Sequence, residues 1–178
     1  NKRIVCVGRL CPAKAQGLLL EAIAPLIAEH PTLELILIGD GEDRPALEAQ
    51  IAALGLGSHV TLTGWGTGQE VRDAIRGARV FALPSFAEGL PIVLMESLAM
   101  GRAVVTTQIT GVPELVDGEC GWIVPPGDVA ALREAIAAAL FTDTTTLAAM
   151  GSTGRERVMQ AHDQTRNAEA LRELFLLG

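Results

Sequence analysis

Tyrosine is absent from these 178 residues, and Trp and Phe together bring the aromatic share to only 3%. Proteins that hold single-stranded nucleic acid need aromatic platforms for the bases, and a chain of formal net charge -7 repels a phosphate backbone. Nucleic acid is therefore not an expected partner, and anionic membrane surfaces are disfavoured on the same ground. No run of 18 apolar residues occurs, and the N-terminus lacks the charged, apolar and small-residue order of a secretory signal. Direct membrane insertion is not expected, and the chain reads as cytoplasmic. Cys6, Cys11 and Cys120 are odd in number and lack close pairing, which argues against a disulfide framework and makes each a small buried hydrophobe. His30, His59 and His162 are scattered, with neither H-x3-H nor C-x2-C spacing, so no metal is expected.

Hydrophobic residues make up 49% and charged residues 20%, in a length that suits one well-buried domain and not two. Short β-type runs alternate with amphipathic helical runs from end to end, the order that generates a parallel sheet covered on both faces. The expected strands are Arg3–Val7, Leu33–Ile38, Val60–Thr63, Val80–Leu83, Ala103–Thr106 and Trp122–Val124. Between them the apolar spacing changes to 3.6: Leu47, Ile51 and Leu54 share one helix face, and Val129, Leu132, Ile136 and Leu140 another. Right-handed crossovers then give an α/β, Rossmann-like, doubly wound parallel sheet of about six strands. Pro25 falls inside the helix expected from Gln16 to Glu29, so a kink is predicted there. Beyond Phe141 strand signals stop, and a pair of helices is expected at Thr144–Gln160 and Thr165–Leu177. The chain opens on Asn and enters a strand almost at once, which reads as a fragment.

The segment from Pro84 to Glu96 concentrates the chemistry. The apolar strand ending at Leu83 leads to Glu88, then to Gly89, whose freedom suits a turn, and to Pro91, suited to the first position of a helix running to about Met100. Unpaired amides at such a helix start carry about half a positive charge and can hold a phosphate. Glu96 follows roughly a turn and a half along the helix, placing the two carboxylates about 10 Å apart at 1.5 Å rise per residue. That separation suits opposite ends of one ligand, not a shared proton or metal. An E-x7-E spacing often arises by chance among solvated glutamates. Here the pair lies at the carboxyl end of an apolar strand, where open parallel sheets place their ligands, and that favours a sugar joined to a diphosphate.

A second feature follows the first strand. In Gly8-Arg-Leu-Cys-Pro-Ala-Lys14, both Arg9 and Lys14 leave the strand's carboxyl end in a loop that leads into a helix. Most Arg and Lys are solvated surface cations. In an acidic chain, two of them at a sheet's switch point favour a diphosphate, which a guanidinium fork and an ammonium point charge balance without Mg²⁺.

Six segments in order resemble the C-terminal, donor-binding half of retaining GT-B glycosyltransferases of family 4, also called group 1. They are Val7-Gly-Arg-Leu with Lys14, Leu37-Ile-Gly-Asp-Gly41, Thr63-Gly-Trp65, Pro84-Ser with Glu88-Gly-Leu-Pro91 and Glu96, Gly111-Val-Pro-Glu114, and Gly121-Trp-Ile-Val-Pro-Pro-Gly-Asp128. The resemblance implies one half of a GT-B fold across residues 1–178, with an N-terminal acceptor domain outside the chain. It implies Glu88, Arg9 and Lys14 as catalytic residues. Arg9 and Lys14 would grip the nucleotide diphosphate, Glu88 would bond the transferred sugar, and Glu96 the ribose. Gly89, Leu90, Pro91 and Ile92 would finish the phosphate cradle, and the loops at Gly41 and Trp65 would lie near the base. The donor implied is a nucleotide-sugar, a UDP-sugar first with GDP- or ADP-sugar as alternatives, and no metal or other cofactor is implied. One departure stands out: the family usually has Gly directly after the lysine, where this chain has Ala15.

Three other readings compete. A nucleotide-sugar epimerase of the same architecture would bind a similar donor. A dinucleotide-binding Rossmann module would need G-x-G-x-x-G after the first strand, where Gly8-Arg9-Leu10-Cys11 stands instead. A non-catalytic module would make the four charged residues ordinary surface groups, and nucleotide-dependent stabilisation separates it from the rest.

Overall fold

The structure, a computed structural model, describes residues 2–89 and 91–176. Six parallel strands form one sheet: β1 (Lys2–Val7), β2 (Leu33–Ile38), β3 (Val60–Leu62), β4 (Val80–Leu83), β5 (Val104–Thr107) and β6 (Gly121–Val124). Their spatial order is β3-β2-β1-β4-β5-β6, so the chain reverses its winding between β1 and β4. In such sheets the crevice beyond the carboxyl ends of those two strands is the natural ligand position.

The period-2 alternation of each strand divides the core in two. On one face Ile4 and Cys6 join Leu35, Val80 and Val105 under α1 (Gln16–Glu29), α2 (Arg44–Ala53) and α6 (Val129–Phe141). On the other, Val5, Phe81 and Val104 pack against α3 (Gly68–Gly77), α4 (Ile92–Ala99), the single turn α5 (Val112–Leu115) and α7 (Thr144–Ala161). Helix α8 (Gln164–Leu176) follows.

Local chemistry sets several of these boundaries. Thr67 and Glu70 form a reciprocal capping box at the start of α3, while Asp128 and Asp143 accept the Ala131 and Thr146 amides at 2.9 Å to begin α6 and α7. Helix α7 reaches α4 through Gly151, where an added Cβ would stand 2.0 Å from the Gly101 carbonyl oxygen.

Five sequence expectations are corrected. Strand β5 begins at Val104 and ends at Thr107, one residue later than expected at each end, and β3 stops at Leu62. Leu54 caps the end of α2 at 39% exposure and does not share the buried face of Leu47 and Ile51. Pro91 is the N-cap residue of α4, not its first helical position. Cys11 is half-buried, unlike Cys6 and Cys120. Helix α1 runs through Pro25 from Gln16 to Glu29. The final helix was expected to reach Leu177, which lies outside the described residues.

Candidate functional site at the sheet switch point

The loop after β1 and the loop after β4 lie side by side and are tied together, the Phe86 amide donating to the Ala13 carbonyl at 2.8 Å. Across this seam Lys14 Nζ stands 2.6 Å from both carboxylate oxygens of Glu88. The Lys14 side chain is 22% exposed and that of Glu88 only 6%. Two charges withdrawn from water this far spend most of their attraction on lost hydration, so the pair is a poor stability device. It places opposite charges at the switch point instead.

Glu88 is held from a second side. Ser85, fully buried, donates its hydroxyl to Glu88 Oε1 at 2.6 Å, and the Ser85 carbonyl accepts from Thr107 Oγ1 at 2.5 Å. A neighbouring hydroxyl, Thr106 Oγ1, donates to the Leu83 carbonyl at 3.1 Å. Together the two threonines of β5 fix the exit of β4, and through Ser85 the carboxylate. Beneath the ion pair lies Cys6, whose thiol is pushed up to about 12 chiefly by burial, with Lys14 lowering it and Glu88 raising it.

The loop carrying Lys14 has a 3-10 turn at Pro12–Lys14 that closes on Ala15 at φ 53, ψ 34. Ala15 is the only non-glycine residue with positive φ among the described residues, and it occupies the position after the lysine. The backbone there keeps a left-handed conformation although the side chain has a Cβ, at a cost of roughly 1–2 kcal/mol. Next to it Gln16 is buried, donating Nε2 to the Arg9 carbonyl at 2.9 Å, while its Oε1 is buried with no hydrogen-bond partner among the described residues.

Arg9 turns toward Glu42, at 3.1 Å from Nε and 3.0 Å from Nη2, on the exposed rim of the same loops. The Glu42 carboxyl lies below its usual range, first because of its own backbone amide and then because of Arg9. Gly39 and Gly41 serve packing: an added Cβ would stand 1.9 Å from the Gly8 carbonyl oxygen and 2.3 Å from that of Leu10, respectively. Trp65 is 70% exposed and lines a cavity of about 260 Å³ with Ile36, Ile38, Thr63 and Glu70, beyond β2 and β3.

The start of α4 differs in detail from expectation. Gly89 does not adopt positive φ, and a Cβ there would meet nothing within 4 Å, so the fold itself does not demand glycine. Pro91 has no amide to donate, and its carbonyl takes the amides of Leu94 and Met95 at 2.9 and 3.1 Å. The donors left at this terminus are therefore those of Ile92 and Val93. Leu90 lies outside the described residues. Glu96 is exposed on α4.

The switch point thus brings together Lys14, Glu88 and the α4 terminus, while Arg9, Gly41 and Trp65 stand around it. Ser85, Thr107, Gln16 and Glu42 escaped the sequence reading. A serine three residues before the glutamate and two hydroxyls ending an otherwise apolar strand were the available signals. No group of three or more His, Cys, Asp or Glu among the described residues is placed to hold a metal ion. No helix among them is long and apolar enough to cross a membrane.

Against known proteins, the family model described as glycosyl transferases group 1 matches residues 1–142. The chain is 33% identical over 168 residues to the putative colanic acid biosynthesis glycosyltransferase WcaL of Salmonella typhimurium, covering 90% of this chain and 41% of that protein. It is 35% identical over 160 residues to a GDP-mannose-dependent phosphatidylinositol monomannoside mannosyltransferase of Mycolicibacterium smegmatis, covering 85% of this chain and 42% of that one. Among solved structures it superposes on Anabaena Alr3699/HepE, in complex with UDP and glucose, with TM-score 0.88 at 26% identity, over 98% of this chain and 48% of that chain. The chain spans less than half the length of these relatives.

Proposed function

Because the chain belongs to the group 1 glycosyltransferases, we propose that it is the donor-binding half of a retaining enzyme that passes a hexosyl group from a nucleotide diphospho-sugar to a glycan, lipid or other acceptor. An N-terminal domain outside residues 1–178 supplies the acceptor site. The observation that carries this reading is the Lys14–Glu88 pair at the switch point, beside the amide terminus of α4.

The pair works by exchange. A donor diphosphate takes over the Lys14 ammonium, and the released Glu88 carboxylate, still held by Ser85, accepts hydrogen bonds from the sugar hydroxyls. Arg9 leaves Glu42 for the diphosphate in the same way, the Ile92 and Val93 amides bind its oxygens, and exposed Glu96 bonds the ribose. Trp65 and the Gly39–Gly41 loop border the base. In the transfer step the bond from anomeric carbon to phosphate oxygen breaks, and the acceptor oxygen bonds that carbon on the same face. The acceptor's proton passes to the departing phosphate oxygen, so configuration is retained. Lys14 and Arg9 stabilise the negative charge that grows on the leaving diphosphate.

UDP is the first expectation for the nucleotide, supported by the UDP bound to the Anabaena relative, with GDP the alternative raised by the mannosyltransferase. The resemblance to a colanic acid glycosyltransferase favours polysaccharide biosynthesis. Three free cysteines suit the reducing cytoplasm.

A thermal-shift series with UDP, GDP and ADP and their sugar conjugates tests the reading. At a hundredfold excess over Kd, linkage adds about 2.7 kcal/mol, which for this length is several degrees of Tm at roughly 2–4 °C per kcal/mol. If no nucleotide or conjugate moves Tm at about millimolar concentration, the assignment fails.

A further inference from the structure

At the opposite end of the sheet, where β4 and β5 begin, a cavity of about 530 Å³ is lined by Arg76, Arg79, Arg102, Gly101, Thr144 and Leu147, among others. Strand β4 separates it from the Glu88 loop, by about 13 Å for four residues at 3.3 Å each. In a chain of net charge -7, three arginines line this one cavity, and no Asp or Glu lines it among the described residues.

The three arginines differ in how they are held. Arg79 is an anchor for the end of α6, its Nε donating to the Ala139 carbonyl at 3.1 Å and its Nη2 to that of Thr142. The Arg102 side chain donates from Nη2 to the Arg76 carbonyl at 2.8 Å. Its Nε is buried without any hydrogen-bond partner among the described residues. A guanidinium that is partly shut from water and has no carboxylate beside it costs folding free energy, which an anion next to its remaining N–H groups offsets. Burial also pulls the Arg102 guanidinium below its ordinary pKa, the mark of a cation desolvated without a counterion.

The carboxylates on adjoining elements are already engaged. Asp73 stands 3.5 Å from Arg76 on the exposed face of α3, and Asp143 accepts both the Thr146 amide at 2.9 Å and its hydroxyl at 2.6 Å. Neither Arg79 nor Arg102 has a salt-bridge partner among the described residues. The start of α7, at Thr144, adds the positive end of an 18-residue helix to the same wall.

We propose that this cavity is a second anion site, taking a phosphate group beside the Arg102 and Arg76 side chains. The planar forks of two guanidinium groups match phosphate oxygens, and the cavity has room for a phosphorylated compound and not only a bare ion. The phosphate belongs either to a free metabolite or to a lipid headgroup.

The test titrates inorganic pyrophosphate calorimetrically into a Lys14→Met, Glu88→Gln double variant, which removes both charges of the switch-point pair, so that any loss caused by a further change at Arg102 or Arg76 reads the second site. Pyrophosphate should bind, and adding Arg102→Gln should weaken it by about ten- to hundredfold, the scale of one or two charged hydrogen bonds. Arg76→Gln, at an exposed side chain, should act in the same direction and carries the test if Arg102→Gln fails to fold by circular dichroism. Co-sedimentation with phosphatidylglycerol vesicles then assigns the source. Vesicle binding lost in the same variants assigns a lipid headgroup, and its absence a soluble phosphorylated compound. Pyrophosphate that does not bind the double variant, or binds with affinity unchanged by Arg76→Gln and Arg102→Gln, overturns the proposal and leaves the donor-site reading untouched.

Discussion

Lys14 Nζ lies 2.6 Å from each carboxylate oxygen of Glu88, although 74 residues separate them in the chain. Without donor, each charge at the switch point is satisfied by the other, so the site holds a mostly buried ammonium and carboxylate without leaving either orphaned. In the proposed function, donor binding replaces one ion pair with two sets of charged contacts, to phosphate and to sugar. The net gain is the difference between these, which makes affinity sensitive to either partner.

Glu88→Gln should lower stability by about 1–3 kcal/mol, less than for a fully buried pair because Lys14 keeps partial access to water. It should chiefly remove the added affinity of sugar-bearing donor over bare nucleotide. Ser85→Ala should act in the same direction by freeing the carboxylate. Glu96→Gln should leave stability unchanged and weaken the nucleotide itself. Calorimetry with and without the sugar separates these roles, and equal weakening of both ligands by Glu88→Gln would end its assignment to the sugar.

A side-chain methyl should be unfavourable at two positions of positive φ. Removing it in Ala15→Gly relieves the left-handed strain, offset partly by greater freedom in the unfolded chain, for a gain of up to about 1 kcal/mol. Adding it in Gly39→Ala puts a Cβ 1.9 Å from a carbonyl oxygen in a conformation of φ +145, and should cost at least about 2–3 kcal/mol. Urea melts of the two variants measure both. A loss of stability in Ala15→Gly would refute the strain.

Cys6 should resist iodoacetamide in the native chain at pH 8, while half-buried Cys11 reacts. Burial pushes the folded thiol up to about 12 from an ordinary 9.0, so the folded state binds its proton more tightly. Stability from this group is complete below pH 9 and declines as pH rises from about 9 towards 12. Denaturant melts across that range should move to lower midpoints in the parent and less so in Cys6→Ala.

The 178-residue chain should bind labelled donor but transfer sugar at no useful rate, because positioning the acceptor can supply roughly 7–11 kcal/mol of the barrier reduction. Incubation with donor and candidate acceptors, beside a full-length group 1 glycosyltransferase, measures this, and a comparable rate refutes it. Such a rate would place a complete active site within the chain.

Residue pattern alone determined the architecture. Periodicity placed all six strands within one residue of each observed end, because a run such as Leu33–Ile38 or Val80–Leu83 has no other way to bury its side chains. The order of elements dictated parallel pairing, and the segment from Pro84 to Glu96 marked the candidate site. Tertiary structure decided which charges meet: Lys14 with Glu88, and Arg9 with Glu42. It also decided that Ser85 and Thr107 hold the carboxylate, that Ala15 tolerates a glycine conformation, and that Leu54 stays exposed. The division has a physical cause. Burial periodicity is written into neighbouring residues, whereas a charge takes its partner from whichever loop the strand order brings alongside, and that order exists only once the sheet has formed.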